Sequence, residues 1–333
     1  MRSMLRFIAV LACFVSMWCR AEVSEIKVGV PPGVLYLQFY VMAHENLLDK
    51  HAKAAGLPGL KLTLVQLEQA NAMTDAALAG AIDYGSGGVS GFLTLWSRTI
   101  NSLGVKSIGG LVAMPMYLNV KNPNVKTIKD FTDKDKIGVA GIKVSYQAML
   151  IQMAASQAFG EKNFGKLDSL TVTVSNPNGY TMLGASVGEL TAHFAPPPYA
   201  YWEMKLPGVR TILKSYDILG GPATLVQTWT TTRFHDANPK AFQAFLNAYK
   251  EATDIINKEK RRSAEMYLKV ANDKKSTVEE LLEIFQDPEV IYSVTPRNTM
   301  PIAEFMHRSG TIPVRPGAWK DMYFSEIHSL PGS

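Results

Sequence analysis

Three kinds of residue in this 333-residue chain have the chemistry for catalysis or capture: hydroxyls beside glycines, aromatic rings and six histidines. Ser145 and Tyr146 stand in KIGVAGIKVSYQAMLIQMAASQAFG, residues 136–160. Ile137, Val139 and Ala140 predict a short buried strand, and Gly141 lets the backbone turn. Met149, Leu150, Met153 and Ala154 predict the apolar side of a helix, which puts Ser145 at its cap. A helix start carries unpaired N–H groups and partial positive charge, so it suits an anion or a strong acceptor. A serine there caps the helix whether or not anything binds. A second such start is predicted in DYGSGGVSGFLTLW, residues 83–96. There Gly85-Ser86-Gly87-Gly88 reads as a loop after a strand over 81–84. Glycines permit a tight turn and a close approach of backbone to a bound group.

The glycine block is not a dinucleotide fingerprint, since the G-x-G-x-x-G order and a following ribose acid are missing. No GK[ST] follows it, so it is not a phosphate loop either. A serine hydrolase needs Ser, His and an acid together, and Ser86 lies in G-S-G-G rather than a G-x-S-x-G elbow. Only His193 falls in a predicted cleft loop. His44, His51 and His235 fall on helices or surface turns, and His307 and His328 lie in the tail. His44 and His51 are seven apart in HENLLDKH, a poor metal pattern. No two acids stand out as a glycosidase pair. The expectation is a binding protein with no catalytic residue, no metal and no cofactor. Tyr36, Tyr117, Tyr146, Phe194, Tyr199 and Trp229 are the aromatic candidates for a pocket wall; each would serve equally as core. His193 offers a hydrogen bond or a pH-sensitive contact, and a satisfied wall histidine is the alternative.

The elements that must position these residues alternate strand and helix. Strands are predicted at 25–30, 62–67, 81–84, 105–112, 116–120, 170–174, 211–216 and 223–230. Helices are predicted at 35–55, 71–79, 180–186, 238–257, 262–271, 276–285 and 301–308, with Asn238 as cap and Pro239 opening its helix. Breaks after Pro115 and at Gly220-Gly221-Pro222 divide an α/β chain into two lobes joined by two hinge crossings. Lobe one takes 22–115 with 222–333, and lobe two takes 116–221. KNPNVKTIKDFTDKDK reads as a solvated face, and Pro196-Pro197-Pro198 as a stiff wall. A weak echo relates LAGAIDYGSG, from Leu78, to SVGELTAHFA, from Ser186, setting His193 opposite Gly85 and Phe194 opposite Ser86.

Residues 1–21 read as a secretory signal: Arg2 and Arg6, an apolar run Phe7–Trp18, then cleavage after Ala21. A lipoprotein reading at Cys13 is the alternative, and it would leave FVSMW at the mature start. Both cysteines, Cys13 and Cys19, lie in this segment, so the mature chain has no disulfide and no thiolate site. Removing its three arginines lowers the formal charge from +5 to +2. No basic patch with interleaved aromatics remains, which argues against nucleic acid as a partner.

Four landmarks carry a family resemblance: VGVPPG, LAGAIDYGSGG, IKDFTDKDKIGVAG leading to Ser145, and NPKAFQAFLNAY. Over nearly all of residues 24–325 the chain resembles the substrate-binding proteins of nitrate/sulfonate/taurine uptake transporters, which are related to the pyrimidine-precursor thiamine synthases (the NMT1 family). The resemblance implies the two-lobed type II periplasmic binding protein fold, each lobe a mixed sheet flanked by helices. It implies periplasmic capture of a small anion, delivery to an ABC transporter membrane permease, and a monomer. It carries the ligand-binding role onto Tyr36, Ser86, Gly87, Ser145, Tyr146, His193 and Phe194, with Thr228 or Trp229 from the returning strand. Tyr117 joins them as an aromatic candidate. HFAPPPY departs from the family's lobe-two loop and holds no acid for a ligand amine, which weighs against taurine. The aromatics favour an organic anion, sulfonate or carboxylate, over nitrate. The cysteine cluster of the pyrimidine synthases is absent. A sensory solute receptor and a secreted enzyme acting on a pyrimidine-like compound are the alternatives.

Overall fold

The computed structural model describes residues 21–67, 70–143, 145–185, 190–274 and 276–333. Residues 1–20 of the expected signal segment, with both cysteines, and the SVGE that opens the second half of the echo lie outside them. The chain opens with strand β1 (Glu25–Val30), a 3-10 turn at Val34–Tyr36, and helices α1 (Leu37–His44) and α2 (Leu47–Ala54). The single helix expected over 35–55 is therefore broken. Asn46 takes φ 52° between the two pieces, a left-handed conformation that asparagine tolerates better than most residues. Then follow β2 (Lys61–Gln66), α3 (Ala70–Leu78), β3 (Tyr84–Gly88), α4 (Val89–Thr99) and β4 (Val105–Ala113).

The chain next builds β5 (Tyr117–Val120), β6 (Ile137–Val139), α5 (Tyr146–Phe159), β7 (Thr171–Thr173), α6 (Asn176–Gly184), β8 (Ala192–Ala195), α7 (Tyr199–Met204), β9 (Arg210–Lys214) and α8 (Ser215–Leu219). It returns along β10 (Thr224–Thr231) and ends with α9 (Thr232–Ala237), α10 (Pro239–Lys258), α11 (Lys260–Val270), α12 (Val278–Phe285), β11 (Ile291–Tyr292) and α13 (Thr299–Arg308). Two sheets result, ordered β11-β4-β10-β3-β1-β2 and β7-β6-β8-β5-β9. We call the parts around them lobe one and lobe two. Helix α6 starts four residues before the expected position because Ser175 accepts from the Asn178 N–H and Pro177 sits in the first turn. The strand expected to reach Tyr216 stops at Lys214, where α8 begins.

The glycine block is the main revision. Gly85-Ser86-Gly87-Gly88 is not a loop but the strand β3 itself, paired with β10 from Tyr84↔Thr230 to Gly88↔Val226. The cause lies across the sheet. A Cβ on Gly85 would stand 2.7 Å from Trp229 Nε1, and one on Gly87 3.2 Å from the same indole. The glycines are a bed for Trp229, which also meets Phe92 of α4 at 6.0 Å. On the opposite face Tyr84 stacks on Phe245 of α10 at 3.9 Å. Asn238 likewise does not cap α10 with its side chain. Its Oδ1 accepts from the Val23 N–H, and Glu22 caps the helix, accepting from the N–H groups of Lys240 and Ala241. A carboxylate at the positive end of a helix is a better partner than an amide oxygen.

Near the end of the chain, His235 of α9 is stacked on Phe324 at 4.6 Å and holds Glu326 at 2.8 Å and Asp236 at 2.6 Å. Burial alone would lower the imidazole pKa; the hydrogen bonds to Glu326 and Asp236 outweigh it, and the net shift is upward. Burial of Glu326 is likewise outweighed by His235, and its pKa falls. A raised histidine pKa stabilises the fold below the unfolded value and loses that effect as pH rises through the folded value. We therefore expect His235→Gln to lower the melting temperature more at pH 5.5 than at pH 8.5. The two conditions should differ by under about 1 kcal/mol, since the pair is partly exposed; equal losses at both pH values contradict the linkage. Gly85→Ala should cost roughly 1–3 kcal/mol by overpacking. Trp229→Leu in the same chain should recover part of that in chemical denaturation.

Candidate functional site

Strand direction decides which loops meet between the lobes. In lobe one β1, β2 and β3 run parallel, and β10 is antiparallel to both β3 and β4. Strand β4 therefore runs with β1 and β3, and at its end residues 114–116 cross into β5. In lobe two β6, β7 and β8 are mutually parallel and β8 is antiparallel to β5. Their ends come back toward the crossing. The loops after β1 and β3 therefore face those after β6, β7 and β8 beside two crossings, 114–116 and 220–223, as at the strand ends of open α/β sheets.

Two helix starts open on this gap. Helix α4 begins at Val89 directly after Gly87 and Gly88, and no side chain caps it. Its first N–H groups have no intrahelical acceptor. Helix α5 begins at Tyr146, and Ser145 Oγ accepts from the Ala148 N–H at 3.2 Å. That leaves the N–H groups of Tyr146 and Gln147 without a partner inside the helix. The loop before it carries exposed Lys143 at φ 63° and Ile142, 41% exposed. Tyr146 is 8% exposed, and burial raises its pKa, so its hydroxyl stays neutral. Tyr36 closes the 3-10 turn after β1 and is 6% exposed, its pKa raised by burial and then by Tyr40. Tyr36, Gly87, Ser145 and Tyr146 are thus brought to the two facing edges. Tyr199 opens α7 just past β8, where its ring meets Trp202 edge-on at 5.3 Å.

The other candidates sit elsewhere. Ser86 is buried, and its hydroxyl donates to the Gly29 carbonyl at 2.6 Å, tying β3 to β1. His193 lies in a strand rather than a cleft loop and is fully buried. Its Nδ1 is 2.5 Å from Glu203 Oε1, and its ring lies against Gly179 of α6, where a Cβ would come within 2.3 Å. The imidazole faces the interior of lobe two, not the gap. Phe194, next along the strand, is also fully buried. Tyr117 starts β5 at the crossing, and its hydroxyl points to Glu289 at 3.5 Å. Thr228 and Trp229 lie at the wrong end of β10. That strand runs away from the crossing, so Thr224–Val226 are its gap-side residues. Trp229, five residues on, is about 17 Å further along.

Some residues at the gap were not anticipated. Asn176 begins α6 at the end of β7, and its Oδ1 is buried with no hydrogen-bond partner among the described residues. The signal was present: Ser175-Asn176-Pro177 repeats the cap-and-proline pattern of Asn238-Pro239. Lys143 and Ile142 carried no pattern of their own. Among the described residues no group of three His, Cys, Asp or Glu is placed to hold a metal. His44 bonds Glu45 at 2.8 Å, and His51 bonds Glu251 at 2.7 Å. No described helix is long and apolar enough to cross a membrane.

Comparison with known proteins adds to this geometry. No curated protein matches the sequence. The structure overlays on the periplasmic aliphatic sulphonate binding protein of Escherichia coli with a TM-score of 0.70 at 15% identity, over 91% of this chain and 93% of that one. The periplasmic nitrate-binding protein of Synechocystis PCC 6803 gives 0.67 at 14% identity, over 88% and 83%. The alkanesulfonate-binding protein of Xanthomonas axonopodis pv. citri, bound to MOPS, gives 0.63 at 16% identity, over 89% and 96%. At these identities the shared property is the fold, that of two-lobed periplasmic binding proteins. A family model matches residues 20–269, three quarters of the chain, and on that match the chain belongs to the NMT1-like family.

Proposed function

We propose that this protein is exported to the periplasm, captures a small organic anion between its lobes and delivers it to the membrane permease of an ABC-type uptake system. The reading rests on one observation above all: each lobe turns the start of a helix toward the same gap, and the α4 start has no side-chain acceptor of its own. Lys143 adds a positive charge to the loop before α5. The relatives in fold are named for sulphonate, alkanesulfonate and nitrate.

Magnitudes favour an organic ligand over a bare inorganic one. A helix start is worth about 0.3–1 kcal/mol to an anion, and up to ~2 kcal/mol when partly buried. A micromolar ligand needs roughly 8 kcal/mol. Two helix starts leave a shortfall, which hydrogen bonds and apolar burial must fill. Each buried methylene contributes about 0.8 kcal/mol, and the rings of Tyr36 and Tyr146 offer surface for it. In this reading Tyr36, Gly87, Ser145, Tyr146, Lys143 and Asn176 hold the ligand. Ser86, Tyr117, His193, Phe194, Thr228 and Trp229 form the frame behind them. His193, committed to Glu203 inside lobe two, is not positioned as a base at the gap, which favours capture over catalysis.

Calorimetry on the chain from Glu22 onward, with straight-chain alkanesulfonates and alkanecarboxylates of increasing length, tests the proposal. Affinity should rise about fourfold per methylene until the gap is filled, and binding should raise the melting temperature. Nitrate should bind weakly or not at all. If no member of either series binds, the proposal fails. Lys143→Asn removes the charge with a residue that accepts a left-handed backbone. It should weaken anion binding about two- to fivefold at low salt and leave the melting temperature of the free protein within a degree or so.

A further inference from the structure

Lobe one holds a cavity of its own at the end of its sheet remote from the gap. It is about 310 Å³ in volume, at the lower end of the range for small-molecule sites, roughly 300–1,000 Å³. Residues at the starts of β3 and β4 meet there the residues that end β10 and form α9. Ile82, Leu103, Val105, Trp229 and Phe234 give it an apolar wall.

The polar side chains on that wall divide into committed and uncommitted. Thr230 Oγ1 donates to the Asp83 carbonyl at 2.7 Å, and Thr231 Oγ1 accepts from the Phe234 N–H at 3.1 Å. The Asn238 amide is used at both ends, accepting from the Val23 N–H and donating to the Phe234 carbonyl, each at 3.0 Å. Three groups remain. Asp83 is half-buried and accepts from the Lys27 N–H at 2.8 Å with one carboxylate oxygen; the other has no partner among the described residues. The Lys27 ammonium turns instead to Glu25, at 3.8 Å. Burial is the leading cause that raises the Asp83 carboxyl pKa, and a cation beside it would relieve that cost. Arg233 is exposed, and its guanidinium has no acid or carbonyl partner among the described residues. Trp229 Nε1 is buried with no acceptor among them. The indole sets that corner over Gly85, which lines the cavity, and its six-membered ring over Gly87, which does not.

Asp83 and Arg233 thus bring opposite charges to one cavity without pairing with each other. An anion alone would leave the carboxylate bare, and a cation alone the guanidinium. We propose that this cavity is a second ligand site and takes a small zwitterion with an apolar body, a free amino acid being the simplest. Its ammonium meets Asp83, its carboxylate meets Arg233 with Trp229 Nε1 as a neutral donor, and its side chain covers the apolar wall. The site is separate from the gap and stands whatever the gap holds.

Calorimetry on the chain from Glu22 onward, with leucine and phenylalanine as probes, tests this. At least one should bind. For leucine, 4-methylpentanoate lacks the ammonium and 3-methylbutylamine lacks the carboxylate, and each should bind on the order of tenfold more weakly. Arg233→Gln removes an exposed side chain with no internal partner, so the fold should be untouched. It should weaken the amino acid and 4-methylpentanoate, and spare 3-methylbutylamine. Asp83→Asn keeps an oxygen for the Lys27 N–H and should do the reverse, weakening the amino acid and the amine while sparing the acid. Lys143→Asn, at the gap, should leave amino-acid binding unchanged, and a saturating alkanesulfonate should not displace it. If neither amino acid binds, the proposal fails. Binding that survives both Arg233→Gln and Asp83→Asn undiminished, or that is lost in Lys143→Asn or displaced by the alkanesulfonate, assigns the amino acid to the gap and overturns it.

Discussion

Among the described residues two short spans of backbone, 114–116 and 220–223, link the two sheets, and both join the lobe-one sheet at its inner strands β4 and β10. Strand β4 arrives at that edge with β1 and β3 beside it, all pointing the same way. On the other side β5 departs while β6, β7 and β8 return. Polarity alone therefore sets which loops face one another. It also sets which do not. Strand β10 leaves the junction, so each step along it carries a side chain about 3.4 Å further from the gap. An uncapped helix start becomes useful only in such a setting, where its N–H groups point at a space that a solute can enter.

The two sheets repeat one plan. In each, three strands run parallel, the fourth is antiparallel to them, and the fifth is antiparallel to the fourth: β2-β1-β3-β10-β4 in lobe one and β7-β6-β8-β5-β9 in lobe two. β3 and β8 hold matching places, which gives the LAGAIDYGSG and SVGELTAHFA echo a structural counterpart on its described part. The halves diverge in their use of the plan. Lobe one turns the helix after its third position, α4, toward the gap uncapped; lobe two turns the helix after its second position, α5, there with Ser145 as cap. The gap is therefore asymmetric in chemistry, although the sheets around it are alike.

Local signals were readable where a few neighbouring residues decide the outcome. Ser145 before an apolar helix face, and Pro239 opening α10, placed those helices to within a residue or two, because capping and apolar periodicity act over one or two turns. The errors fell where a distant partner decides. Four consecutive small residues read as a loop, and only Trp229 on the neighbouring strand makes them a strand. A histidine between alanine and phenylalanine read as a ligand contact, and only Gly179 and Glu203 show that it is enclosed. Asn238 looked like a cap, but the better acceptor, Glu22, comes from the other end of the chain. Asn176 was legible and was missed, since its helix was set four residues too late.

His193 shows why the lobes can act as rigid bodies. Glu203 takes His193 with one oxygen and, at 2.9 Å, the Asn119 amide with the other; Asn119 Oδ1 in turn accepts from the Thr211 hydroxyl at 2.6 Å. These residues tie β8, α7, β5 and β9 together in the interior of lobe two. Burying such a pair adds little net stability, because desolvation cancels much of the attraction. Leaving either partner alone would be costly, however, so alternative registers of these four elements are strongly disfavoured. A lobe pinned in this way has few soft internal modes. That leaves the two crossings, 114–116 and 220–223, as the places where one lobe can turn against the other.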